Sequence, residues 1–116
     1  MNIFKAKCTA CRTDAPKVTA EEEKELLSKL KEWCILNCDN VKILEREYMF
    51  NNFINAVAFA NKIAEAAEKA NHHPEIIIRW GSCTVKWWTH AINGLHRNDF
   101  IMAAKSDSLF QEHFQQ

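Results

Sequence analysis

Phe53, Val57, Ala60, Ile63, Ala64 and Ala67 recur at steps of three and four residues, and the pattern runs unbroken from Asn51-Asn52 to Ala70. This spacing lays one apolar stripe along one side of a long helix, with Asn51 or Asn52 placed to cap its start. Pro74 is expected to stop it, because proline disfavours the helical conformation for the residue before it, here His73. A one-sided helix of this length is not stable alone. The rest of the chain has to supply the layer on which its stripe is buried.

Two strand pairs are available for that layer. Ile35 and the run Lys42 to Phe50 suit two strands joined at Asp39-Asn40, and Ile76 to Trp80 with Cys83 to Ala91 suit a second hairpin turning at Gly81-Ser82. A first helix is expected over about residues 20 to 32: Thr19 followed three residues later by Glu22 forms a capping box, and Leu26, Leu27 and Leu30 give an apolar face. Asn98 to Phe114, with Phe100, Ala103, Ala104 and Phe110, reads as a closing helix. The fold class that follows is α+β: a four-stranded antiparallel sheet with helices packed on one face, in the order helix-strand-strand-helix-strand-strand-helix. Trp87, Trp88 and the Ile76 to Ile78 run put apolar side chains on both faces of the sheet, so self-association is expected.

The 116 residues form one domain, and a hydrophobic fraction of 47% suffices for a real core and excludes general disorder. Fifteen basic residues balance fifteen acidic ones, so charge gives no attraction to nucleic acid or an anionic membrane. Residues 1–18 read as a basic, irregular arm ahead of a single domain over 19–116. No stretch is apolar enough for a membrane span or a secretory signal, which favours a cytoplasmic protein. Two Gly and two Pro leave no Gly-rich phosphate loop. The five cysteines, Cys8, Cys11, Cys34, Cys38 and Cys83, are odd in number and read as free thiols.

Chemistry concentrates where the long helix ends. Glu68-Lys69-Ala70-Asn71-His72-His73-Pro74-Glu75 sets two adjacent imidazoles at a helix C-terminus, where the dipole favours positive charge, and His90 follows at the end of the second hairpin. If that hairpin folds back beside the helix end, His72, His73 and His90 surround one cleft, with Glu68 one turn before His72. Such a set can give and take protons near neutral pH. On periodicity alone, exposed caps or core fillers remain the alternative for each histidine.

The same residues resemble a known family. Glu68 to Glu75, then Thr89-His90, then Gly94-Leu95 and Asp99-Phe100 leading into Ala103-Ala104, are similar to the signature of the pterin-4a-carbinolamine dehydratases, and the likeness spans about residues 19 to 114. Cys8, Cys11 and Pro16 are similar to the N-terminal arm of many microbial-type members. The resemblance implies dehydration of 4a-hydroxytetrahydropterin to the quinonoid dihydropterin, a step in tetrahydrobiopterin recycling for aromatic amino acid hydroxylases. It implies no cofactor and no metal, a homodimer or homotetramer, and a functional link to phenylalanine hydroxylase. By position, His72 and His90 match the family's acid-base histidines, and His73 the one that holds and orients the pterin. Glu68 and Asp99 match acidic residues lining or supporting that site. Asn71, Trp88, Thr89 and Ala91 match positions that border the pterin, through backbone groups.

Some positions depart from the pattern. Ile76 stands where an aromatic is common, Trp87-Trp88 where smaller residues are usual, and His96 where Ser or Thr often caps the last helix, with Asn98 as a substitute cap. His96 and His113 are expected to be surface histidines. Two other readings compete. Cys8-x-x-Cys11 and Cys34-x-x-x-Cys38, with His72 and His73, resemble parts of a zinc set, but Cys34 and Cys38 on one strand would stand over ~10 Å apart. Some relatives also act as dimerisation cofactors of a homeodomain transcription factor, which makes a protein-binding role the alternative function.

Overall fold

The computed structural model describes residues 2–5 and 16–114. Cys8 and Cys11 lie outside the described residues. The element order is α1 (Ala20–Ser28), β1 (Cys34–Cys38), β2 (Val41–Met49), α2 (Phe53–Ala70), β3 (Glu75–Arg79), β4 (Ser82–Trp87) and α3 (Arg97–His113), with a short 3₁₀ turn at His90–Ile92. This is the expected α+β order. The four strands form one antiparallel sheet in the order β1-β2-β4-β3, so the second hairpin docks through β4 against β2.

Local chemistry explains most of the boundaries. Asn52 caps α2, its side chain accepting from the Asn55 N–H at 2.8 Å. Asp39 and Asn40 both adopt positive φ, the conformation a two-residue hairpin turn requires, and Cys38 pairs with Val41 across it. At the other hairpin the turn is Trp80-Gly81, one residue earlier than expected, and β3 ends at Arg79. Gly81 sits at φ +79, and a Cβ there would meet the Phe50 carbonyl oxygen at 3.3 Å. Its own carbonyl accepts from Phe50 N–H at 2.8 Å, tying the end of β2 to this turn.

Three expectations are corrected. First, α1 ends at Ser28 rather than near residue 32, because the chain tightens into i→i−3 turns (Leu30 N–H to Leu27, Trp33 N–H to Leu30) that bring both Leu30 and Trp33 into the core. Only half of its capping box forms: Thr19 Oγ1 accepts from Glu22 N–H at 3.1 Å, while the Glu22 carboxylate takes Arg97 at 2.8 Å. Second, the long helix ends at Ala70, where its stripe was expected to end, but the stop is made by Asn71 and not by Pro74. Asn71 is left-handed (φ 52), its N–H bonds Glu68 O, and His72 N–H bonds Ala67 O at 3.1 Å, a Schellman closure. Third, β4 does not run to Ala91. It ends at Trp87, and Thr89 pairs with Gly94 across a small loop that carries the 3₁₀ turn.

The helices cover one face of the sheet. That face presents Leu44 and Tyr48 from β2 and Cys83, Val85 and Trp87 from β4, all buried, against Phe59, Ala60, Ile63 and Ala67 of α2 and Phe100, Ala103 and Ala104 of α3. Tyr48, Phe50, Phe59, Phe110 and Phe114 form a ring cluster with centroids 4.5–5.7 Å apart. Ile3 joins this core at 1% exposure, so the arm preceding the domain contributes to it. On the outer face Lys86 bridges Glu45 and Glu75. Trp87 is therefore a core residue, whereas Ile77 and Ile78 of the expected run are exposed, together with Phe4, Met49, Phe53, Ile54 and Trp80 among the described residues. No helix among the described residues is long and apolar enough to cross a membrane.

Candidate active site

The Schellman closure of α2 fixes the site from the backbone outward. Because His72 N–H is bonded into the last turn, the His72 side chain is carried inward, to 4% exposure. There its Nε2 donates to Asp99 Oδ1 at 2.6 Å, from the first turn of α3, and its ring stacks on Trp87 of β4 at 5.5 Å and 11°. Trp87 is itself held, its indole N–H donating to Ser106 Oγ at 3.2 Å. The other oxygen of Asp99 accepts from Thr89 Oγ1 at 2.8 Å and from His96 N–H at 2.9 Å. Asp99 is fully buried and thus joins the end of α2, the segment after β4 and the start of α3 at one carboxylate. Three donors satisfy this buried carboxylate, and it fixes the orientation of the imidazole that it holds.

The two other site histidines flank this node. His73 follows His72 and faces out, its Nε2 paired with Glu68 Oε2. His90 follows Thr89 and opens the 3₁₀ turn, exposed, with the half-buried Trp88 ring 4.4 Å from its own. The buried node therefore anchors the residue immediately before each of the exposed imidazoles. Asn71 and Ala91 are exposed.

Glu68, one turn before His72, pairs with His73, and Thr89 engages Asp99 through its hydroxyl. One expectation is corrected here. His96 is buried and is itself the cap of α3: its Nδ1 accepts from Asn98 N–H at 3.0 Å, and Asp99 closes the reciprocal half of the box. Burial, with Arg97 and His72 acting in the same direction, holds the His96 imidazole below its ordinary value against the pull of Asp99 and Glu22. Histidine is not among the usual capping residues, so the pattern His96-x-x-Asp99 carried no signal. The role of Trp87 was legible only as an anomaly of size.

The described cysteines, Cys34, Cys38 and Cys83, make no contact with this node. Cys83 is buried under the sheet, and burial pushes its thiol up to about 11, away from nucleophilic use. Cys34 and Cys38 are exposed on β1. Among the described residues no three His, Cys, Asp or Glu side chains are grouped to hold a metal ion.

The chain is similar to known proteins over most of its length. The family described as Pterin 4 alpha carbinolamine dehydratase matches residues 16–109. A Marinobacter nauticus protein named as a pterin-4-alpha-carbinolamine dehydratase is 49% identical over 109 residues, covering 94% of this chain and 98% of its own. A Photobacterium profundum protein of the same name is 53% identical, covering 91% and 95%. A Brucella melitensis crystal structure, described as a transcriptional coactivator/pterin dehydratase, superposes with a TM-score of 0.72 at 31% identity, covering 81% of this chain and 98% of that one. With the family matched over most of its length, and with relatives at about half identity, the chain belongs to the pterin-4a-carbinolamine dehydratase family.

Proposed function

We propose that the protein dehydrates 4a-hydroxytetrahydropterin to the quinonoid dihydropterin and water, with His72, His73 and His90 as its acid-base set. The observation that carries this reading is the buried Asp99 carboxylate binding His72 and Thr89, the residues next to His73 and His90. In the reaction an acid protonates the hydroxyl on carbon 4a, which leaves as water. A base removes the proton from the neighbouring ring nitrogen, and the carbon–nitrogen double bond forms from the electrons released. Nothing is oxidised or reduced, and each positioned proton transfer is worth roughly 10² to 10⁴ in rate.

Exposure suggests how the work divides. His73 and His90 face solvent and are open to a substrate, while His72 is held from behind by Asp99. Trp88, its ring beside His90, offers an aromatic surface to a flat pterin. Glu68 orients His73, and Asn71, Thr89 and Ala91 border the same space. We place the reaction in tetrahydrobiopterin recycling for aromatic amino acid hydroxylases such as phenylalanine hydroxylase, in a cytoplasmic homo-oligomer.

A dehydratase assay with enzymatically generated carbinolamine tests the reading. Intact protein is expected to accelerate water loss, with and without chelator, and His90→Ala to lower kcat by on the order of 10²-fold or more. Full rate in His90→Ala would remove that residue from the mechanism. No acceleration by the intact protein would shift the assignment to a dimerisation cofactor for a transcription factor. The exposed Met49, Phe53, Ile54 and Trp80 and the coactivator description of the Brucella melitensis neighbour favour that second reading.

A further inference from the structure

The first turn of α3 is capped by an imidazole, and this has a chemical consequence that a hydroxyl or amide cap would not have. His96 accepts the Asn98 N–H through Nδ1, and its own N–H reaches Asp99 Oδ2, the atom that also accepts from Thr89 Oγ1. Asp99 holds His72 with its other oxygen. An imidazole can accept at Nδ1 only while neutral, because both ring nitrogens of the protonated form are donors. Protonation would turn the cap bond into two opposed N–H groups at a helix N-terminus, where the dipole also disfavours positive charge. The charged groups facing His96 are Asp99 and Arg97 on α3, His72 from the end of α2 and Glu22 from α1. Arg97 and His72 oppose a second positive charge there, and Asp99 and Glu22 favour it.

We propose that His96 is a pH-sensitive positioning residue: its neutral ring caps α3 and so fixes the carboxylate of Asp99 that holds His72, and its protonation loosens that hold. Occupancy of the two imidazoles is thereby linked. A charged His72 favours a neutral His96, and a charged His96 weakens the seat of His72. The rate consequence rests on the dehydratase reading above, whereas the coupling between the two rings does not.

The full chain, labelled with ¹⁵N at histidine and at the backbone, is titrated by NMR as wild type and as His96→Asn, which keeps a capping acceptor that does not titrate. In wild type the Nδ1 of His96 is expected to stay unprotonated to below pH 6.5, and at its midpoint the Asn98 amide and the His72 ring both move. In His96→Asn the corresponding step at His72 is absent, and the acid limb of kcat shifts to lower pH. His96→Ala, which lacks the cap at every pH, is expected to lose roughly tenfold in kcat, with recovery in His96→Asn. A His72 step that persists in His96→Asn, or a wild-type His96 that titrates without moving His72, overturns the proposal. So does a His96→Ala enzyme with wild-type rate and pH profile. Should wild type show no dehydration at all, the functional reading fails, and the NMR coupling alone decides the role of His96.

Discussion

Two aspartates eight residues apart on α3 each gather three donors, and they do opposite things. Asp99 takes His72 Nε2, Thr89 Oγ1 and the His96 N–H, and it is fully buried. Asp107 takes Trp33 Nε1 at 3.0 Å, Arg46 Nη1 at 2.7 Å and Tyr48 Oη at 2.5 Å, all on one oxygen, and keeps 18% exposure. The Asp107 partners are fixed in charge. Arg46 stays protonated and stacks over the Tyr48 ring at 4.2 Å, and burial with the Asp107 charge raises the Tyr48 phenol far above its ordinary range. That carboxylate is a staple, joining α3 to β2 and to the turn after α1. The Asp99 carboxylate is built on the same element, but one of its three donors is the His72 imidazole, and another is the backbone N–H of His96, whose ring caps the helix beside it. A carboxylate surrounded by groups that cannot titrate serves the fold, and one surrounded by groups that can is able to serve chemistry.

The larger effects are expected at Asp99. Asp99→Ala strands three donors that share one buried acceptor and is expected to cost about 3–5 kcal/mol in urea unfolding, since each buried donor left unsatisfied costs about 1–3 kcal/mol. Asp99→Asn keeps the shape but offers a neutral amide. It is expected to fold with a smaller loss and yet to lower kcat by roughly 10²-fold or more, since the orientation of His72 depends on the charged acceptor. Wild-type kcat in Asp99→Asn would make Asp99 a second staple and erase the distinction.

At Asp107 the pattern should invert. Asp107→Ala leaves Arg46, Tyr48 and Trp33 to rearrange, and partial exposure lets water replace some of the lost bonds, so about 1–3 kcal/mol of stability is expected to go. The dehydratase rate of the folded fraction should stay within about twofold, because none of the Asp107 donors touches the histidines. Paired measurements of urea midpoint and kcat for the two aspartates thus give a crossed result, and parallel losses in both would sink the comparison.

How much of this was legible in the sequence depends on which force placed each residue. The stripe Phe53 to Ala67 fixed α2 because burial of a periodic face is a local signal with a global answer. Asp39-Asn40 marked the first hairpin because positive φ is affordable to few residues. Spacing and resemblance point to His72, His73 and His90 as candidates, but not to their division into one buried and two exposed imidazoles. That division comes from Asn71: a left-handed residue after Ala70 rotates His72 inward and leaves His73 outside. Pro74 carries the louder sequence signal for the stop, but the backbone has already turned at Asn71. The Asp107 staple joins residues 74, 61 and 59 positions apart, and no periodicity reports such a meeting. His96 escaped because capping preferences describe hydroxyl, amide and carboxylate side chains, and a neutral imidazole does the same job only in a buried setting that the tertiary fold creates.

The smallest expected effect tests whether a cation near the Asp99 node behaves like the cation in the Asp107 staple. Arg97 donates to Glu22 Oε2 at 2.8 Å on the surface and lies beside His96. The hydrogen bond from Arg97 holds the Glu22 carboxyl below its ordinary value, so the pair contributes stability above the ordinary glutamate range and loses it as pH falls through the lowered value. Solvent screening keeps that contribution small, and Arg97→Gln is expected to cost no more than about 0.5 kcal/mol near neutral pH. At His96 the sign is opposite. Its folded value lies below 6.5, so the unfolded chain takes up a proton first and stability declines as pH falls below 6.5. Removing the Arg97 charge eases protonation of folded His96 and should flatten that decline. Urea unfolding of wild type and Arg97→Gln on either side of 6.5 reads both effects. A loss above about 1 kcal/mol near neutral pH would mean that this exposed pair is as protected as the Arg46–Asp107 staple, and an unchanged acid slope would separate Arg97 from His96.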